Sequence, residues 1–62
     1  MATYHLWKDK SSNYYWTIKS DKNGKIIAMS SEAYDSKQGA KDSIEWVRTN
    51  AKDAAFEDHT LL

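Results

Sequence analysis

The sequence predicts an α+β fold: a three-stranded antiparallel meander, one helix and a short C-terminal strand, in the order β-β-β-α-β. Three observations lead there. Apolar and aromatic residues alternate with polar ones at period two through the first thirty positions, interrupted by two runs of turn-forming residues. After Tyr34 the apolar spacing changes to that of a helix. The chain is only 62 residues long, without Cys or Pro, so one small unit held by packing alone is all it can form.

The first strand is Thr3 to Lys8, where Tyr4 and Leu6 share one face and His5 and Trp7 the other. Asp9 to Asn13 is a polar loop. The second strand, Tyr14 to Ser20, places Tyr14, Trp16 and Ile18 on one face and Tyr15, Thr17 and Lys19 on the other. Asp21-Lys22-Asn23-Gly24 is a reverse turn, and Asn23 and Gly24 are types that tolerate the positive φ a tight hairpin needs. Lys25 to Ser30 is the third strand. Asp35 or Ser36 can cap the helix that follows. Ala40, Ile44, Val47 and Ala51 then form a narrow apolar stripe, while Asp42, Glu45, Arg48 and Lys52 stay off it. The helix should fade between Asn50 and Asp53, where side chains compete for the backbone. In residues 54–60 only Phe56 is bulky enough to anchor a short fourth strand. Tyr14, Trp16, Ile18, Ile27, Ile44, Val47 and Ala51 are the expected core, with the orientation of Met29 open. Gly39, in the first helical turn, costs up to ~1 kcal/mol against Ala; close approach of helix to sheet would explain it.

A 7.2 kDa chain should expose roughly 4,000 Å² when folded and roughly 10,000 Å² when unfolded. Burial then contributes ~95 kcal/mol if about 60% of the buried area is apolar, and ordering 62 residues costs about the same at ~1.5 kcal/mol each. The balance is near zero and no disulfide can improve it. Size thus excludes two domains, a disulfide scaffold and an enzyme with a deep enclosed pocket, and it points to a partner chain. No signal-peptide-like apolar run opens the chain and no stretch of 18 apolar residues occurs, so the expected compartment is the cytoplasm, with no membrane span.

Nine basic and nine acidic residues give zero net charge, unevenly spread. Residues 1–30 carry five Lys against Asp9 and Asp21, +3; residues 31–62 carry four basic against seven acidic residues, −3. Chance and complementarity between two halves of one fold explain this more simply than a polyanion site.

Without Cys there is no thiol nucleophile or thiolate zinc site. No Ser lies in a nucleophile-elbow pattern, Gly24 and Gly39 make no phosphate loop, and Glu57 and Asp58 carry no weight as an acid–base pair among nine carboxylates. Glu57 and His59 would share a strand face, but a metal site needs three or four converging ligands. No catalytic residue, cofactor or metal is assigned, and the chain reads as a non-enzyme. The competing reading is a weak single-stranded nucleic-acid binder. If Tyr4, Leu6, Tyr14, Trp16 and Ile18 face the helix, then His5, Trp7, Tyr15 and Lys19 face away, and aromatic rings among lysines can stack bases and hold phosphates. Cross-strand aromatic pairing is the plainer explanation of the same residues, and a near-neutral pI disfavours strong phosphate binding.

Asn23-Gly24-Lys25-Ile26-Ile27-Ala28, Ser30-Ser31-Glu32-Ala33-Tyr34, Ser36-Lys37, and Ala40, Ile44, Val47, Asn50 and Ala51 together carry a resemblance, supported by Tyr14 to Lys19 and by Asp58 and Thr60. From about Tyr4 to Thr60 the chain resembles the YegP-like family of small bacterial and archaeal domains without an assigned function. The resemblance implies a β-β-β-α-β unit, two of which join into one sheet, each giving its last strand to the other. With one unit in residues 1–62, the implied state is a domain-swapped homodimer in which Ala55, Phe56 and Asp58 dock on the partner subunit. Two positions depart from the family: Ser43 where Gly is frequent, and Trp46 where a small polar residue is frequent. Trp46 lies about 120° from the apolar stripe, so its ring either packs within its own fold or meets another subunit. The resulting expectation is a cytoplasmic, homodimeric interaction module whose protein partner the residues do not name.

Overall fold

The computed structural model describes residues 1–60. Strand β1 spans Ala2–Lys8, β2 Tyr14–Ser20 and β3 Ile26–Met29; helix α1 spans Lys37–Asn50 and ends in a 3-10 turn, Ala51–Asp53. The sheet order is β1-β2-β3, each neighbouring pair antiparallel. Leu6 lies opposite Trp16 and His5 opposite Thr17, so the two faces expected from the alternation exist as such.

Local chemistry sets both turns. In the first, the Asp9 carboxylate accepts the amides of Ser11 and Asn13, each at 2.9 Å, while Ser12 takes a left-handed φ of 65°. In the second, Gly24 has φ 72° and donates its amide to the Ser20 carbonyl at 2.8 Å. Asn23 does not adopt positive φ; its side chain instead accepts the Lys25 amide at 3.0 Å. β3 then carries a bulge. Lys19 is opposite Ile26 and Ile18 opposite Ala28, so Ile27 is the extra residue. Ile26 and Met29 consequently share the face of Lys19 and Thr17, and Ala28 shares that of Ile18.

After β3 the chain returns to β2. The Ser30 hydroxyl accepts the Trp16 amide at 3.2 Å and donates to the Glu32 carbonyl at 2.9 Å. Tyr34 then pairs with Tyr14 through two backbone hydrogen bonds of 2.6 Å, on the edge of β2 opposite β1. Ser36, not Asp35, caps α1, accepting the Gly39 amide at 3.0 Å. At the other end the Asn50 amide group donates to the Trp46 carbonyl at 2.8 Å.

The helix lies over β1 and β2 only, and no part of it comes against β3. Trp16 and Ala40 are the buried apolar residues, 6% and 0% exposed, joined by buried Thr17 and Ser30. Tyr14, Ile18, Ile44 and Val47 are half-buried as members of this core. Two expected members are not. Ile27 is 62% exposed because it is the bulge residue of a strand the helix does not cover. Ala51 is exposed because the 3-10 turn tightens the chain to three residues per turn and moves it off the stripe. Met29 faces away from the helix.

The expected fourth strand is corrected as well. Among the described residues no strand follows the helix; residues 54–60 leave the 3-10 turn with Ala54 extended and continue exposed. A strand is defined by its ladder, and residues 54–60 form none in this chain.

Gly39 is also tight for a different reason from the one expected. A Cβ there would meet the Ser36 hydroxyl at 3.0 Å, with Tyr34 Cβ at 3.7 Å. The crowding is by the cap itself. Gly39→Ala should therefore gain up to ~1 kcal/mol of helix propensity but lose about as much in the displaced cap. The expected result is a melting temperature within about 5 °C of the parent, checked by thermal denaturation, instead of the stabilisation that propensity alone gives.

Candidate functional site

Two surfaces stand out because large apolar groups remain uncovered there. The first is β3 with its surroundings. Ile26, Ile27 and Met29 are 55%, 62% and 57% exposed, and the far edge of β3 is unpaired among the described residues. Phe56 is 89% exposed on the extended terminal segment and Trp46 67% exposed on α1. Most of the Trp46 ring thus finds no cover in its own fold. Ala55 and Asp58 are exposed too. Long, apolar, unpaired edges are what native sheets avoid leaving open.

Asp58 closes the terminal segment. It accepts the Thr60 hydroxyl at 2.5 Å and the Thr60 amide at 2.9 Å. These two bonds, the hydroxyl first, hold its carboxyl below the ordinary value of 3.8. A depressed carboxylate stabilises its turn fully above the ordinary value and loses that contribution as pH falls through the lowered one. The Thr60 amide resonance should therefore titrate with a midpoint below 3.8, and Asp58→Asn should remove that titration, both read by NMR. His59 Nε2 lies 3.3 Å from Glu57 Oε1, both side chains open to solvent.

The second surface is the sheet face turned away from the helix. It brings together His5, Trp7, Tyr15 and Lys19, as the alternation predicts. The His5 ring stacks on Trp7 at 6.0 Å and Trp7 on Tyr15 at 6.4 Å. Lys19 Nζ sits 5.0 Å from the centre of the Trp7 ring, and the Trp7 indole donates to the Thr17 hydroxyl at 2.9 Å. The same face has a shallow groove of about 310 Å³ lined by Trp7, Tyr15, Thr17, Lys19, Ile26 and Met29. Ile26 and Met29 escaped the sequence reading, because strict alternation cannot put residues three apart on one face; the bulge does that. Among the described residues the Arg48–Glu45 ion pair and the His59–Glu57 contact both stay within the acidic half, and no ion pair joins it to the basic half.

Ser43, where the resemblance leads one to expect Gly, ties the helix to the sheet. Its hydroxyl accepts both the Trp16 indole N–H at 3.0 Å and the Tyr34 hydroxyl at 2.9 Å. A glycine there would leave both donors to find water. Ser43→Gly should cost about 1–3 kcal/mol, read as a loss of melting temperature, because two part-buried donors lose their acceptor.

Comparison with known proteins places the chain. Residues 9–58 match a family described as a domain of unknown function, DUF1508. The chain belongs to this family. The YegP-like resemblance is in accord with that membership. A UPF0339 protein of Treponema denticola is 46% identical over 52 residues, covering 84% of this chain and 86% of its own. A protein from Haloferax volcanii whose solution structure was solved by NMR is 42% identical and superposes with a TM-score of 0.82, over 92% of this chain and 93% of its own. Among the described residues of this family member, no helix is long and apolar enough to cross a membrane.

Proposed function

We propose that this DUF1508 chain works as a cytoplasmic homodimer with exchanged C-terminal segments, a non-enzymatic interaction module formed by one unit per chain. The observation that carries the reading is unspent surface. The chain exposes 5339 Å², against about 4,100 Å² for a compact monomer of its mass. Its radius of gyration is 13.6 Å, against about 10.6 Å for 62 residues packed compactly. The excess, about 1,200 Å², exceeds the ~800 Å² each partner contributes to a standard interface. Ile26, Ile27 and Met29 are exposed where β3 lacks a neighbour and Phe56 where residues 54–60 lack a sheet, so a second copy supplies to each what the first leaves missing. Ala55, Phe56 and Asp58 would then lie in the interface with Trp46 beside them. Light scattering at tens of micromolar tests this: twice 7.2 kDa is expected, and a particle of 7.2 kDa overturns it.

The gathering of His5, Trp7, Tyr15 and Lys19 on one open face favours a second reading, weak binding of single-stranded nucleic acid. It ranks below the first because Lys19 already covers Trp7 and Thr17 already takes its indole N–H, so a base would have to displace a formed contact. Titration with oligo-dT and oligo-U at low salt separates the two readings. Micromolar quenching of tryptophan fluorescence supports nucleic-acid binding, and its absence leaves this face to a protein partner.

A further inference from the structure

We propose that the groove on the open face of the sheet binds an acidic protein segment that presents one bulky apolar side chain. This rests on the interaction-module reading and adds to it the surface and the chemistry of the partner; it does not depend on exchanged C-terminal segments.

Strand pairing builds the groove. Tyr15, Thr17 and Lys19 follow one another along β2, with Trp7 across on β1 and with Met29 and Ile26 across on β3. Thr17 is buried, and the Trp7 indole leans over it to donate its N–H to the hydroxyl at 2.9 Å. Trp7 stands opposite Tyr15, so reaching Thr17 carries the ring along β2, where Lys19 Nζ meets it at 5.0 Å. The aromatic wall is thus held by a stacked ring, a hydrogen bond and a cation, and it loses little freedom when something binds. The other wall is different. Ile26 and Met29 are more than half exposed, so an apolar group laid in the groove removes their surface from water. A thioether also adapts to the shape of what it meets.

Size and charge select the occupant. The groove holds about 310 Å³, the lower end of the range for small-molecule pockets, and it is a valley that encloses nothing. One large side chain delivered by a polypeptide fills it. Lys8 lies over the Tyr14 ring on the opposite face, so Lys19 is the one lysine among the strand residues of this face, and no strand carboxylate accompanies it. Among the described residues Lys19 makes no ion pair. At the turn beyond it, Asp21 already accepts the Thr3 hydroxyl at 2.6 Å. An ammonium has three donors, so Lys19 keeps its place on the Trp7 ring and still takes a carboxylate. A nucleic-acid backbone would need a row of cations, and its bases would need open rings in place of Ile26 and Met29. A single cation beside an apolar groove matches a carboxylate beside an apolar side chain.

The experiment offers the whole protein a displayed library of random linear peptides. Selected peptides are then titrated into isotope-labelled protein by NMR, with light scattering on the same samples. Enrichment of a bulky apolar residue with Asp or Glu within two positions is expected, with shifts at the Trp7 indole, Thr17 and Met29. Lys19→Gln and Met29→Ser should each weaken a selected peptide on the order of tenfold. Changing the peptide's carboxylates to amides should weaken it as much on the parent protein and little further on Lys19→Gln, since both remove one contact. Should Met29→Ser fail to fold, Lys19→Gln and the amide peptide carry the same test. No enrichment, enrichment of basic or purely apolar peptides, or shifts away from this face would overturn the proposal. So would oligo-dT shifting these resonances at micromolar concentration where the selected peptides do not. Any of these at dimer mass leaves the dimer standing, whereas peptide shifts on this face at 7.2 kDa would overturn the dimer and leave the groove.

Discussion

Trp16→Ala should abolish cooperative folding. Trp16 is the one large apolar side chain among the described residues that is buried outright, since Ala40, the other buried apolar residue, is a single methyl group. Truncating a buried tryptophan costs about 3–5 kcal/mol, and a domain of 62 residues has about 3–9 kcal/mol in all. The loss goes beyond area. The ring lies against Tyr4 at 5.8 Å with a 58° tilt, and its indole N–H reaches Ser43 at 3.0 Å, which ties β1, β2 and α1 together. Without it Ser43 keeps only Tyr34, and the helix stands over a hole in β2. Thermal denaturation followed by far-UV circular dichroism checks this: no folded baseline, or a melting temperature lowered by at least about 12 °C, is expected. Trp16→Phe keeps an aromatic ring and loses the N–H, so it should fold with a loss of about 1–2 kcal/mol. A Trp16→Ala protein that melts within a few degrees of the parent would show that the fold is held elsewhere.

Cutting the chain after Asp53 is the second large effect expected. In an isolated chain residues 54–60 are exposed throughout, and Phe56→Ala at an 89% exposed position should change stability by less than about 0.5 kcal/mol. If the segment completes the sheet of a second copy, the same substitution costs about 2 kcal/mol or more as an interface anchor. Removing the whole segment then exposes β3 again in both copies and should leave a single-chain, largely unfolded protein. On that reading folding and association are one equilibrium, so stability should also rise with concentration in the full chain and lose that dependence in the shortened one. Circular dichroism with light scattering on both proteins decides the matter. A shortened chain that keeps its fold and melting temperature would mean that the terminal segment has no structural partner.

How much could be read from the residues differs by element. β2 falls on Tyr14–Ser20 in sequence and structure alike, because its alternation is unbroken and polar residues bound it on both sides. The helix was legible from the Ala40, Ile44, Val47 spacing and from Ser36, whose hydroxyl caps it. β3 was legible as a strand and not as a surface. The bulge at Ile27 depends on how β2 and β3 twist against each other, and it decided that Ile26 and Met29 join Trp7, Tyr15 and Lys19. Residues 54–60 were read as a strand from Phe56, yet a strand is a relation between two segments, and no ladder forms with this one. That His5, Trp7, Tyr15 and Lys19 share a face was legible because side-chain alternation is local. That Lys19 covers Trp7 could not be read, since Lys19 stands opposite Thr3, four residues from Trp7, and only the rotamers of the two long side chains bring them together.

The short length, the alternation, the turn chemistry and the helical stripe belong to the sequence alone, because each depends on neighbours no more than a few residues apart. They determined three strands and a helix, and a chain too small to bury what it must. Only the tertiary structure decided where the shortage falls. A fourteen-residue helix laid over two strands cannot also cover a third. β3, the Trp46 flank and Phe56 are therefore what one chain leaves exposed.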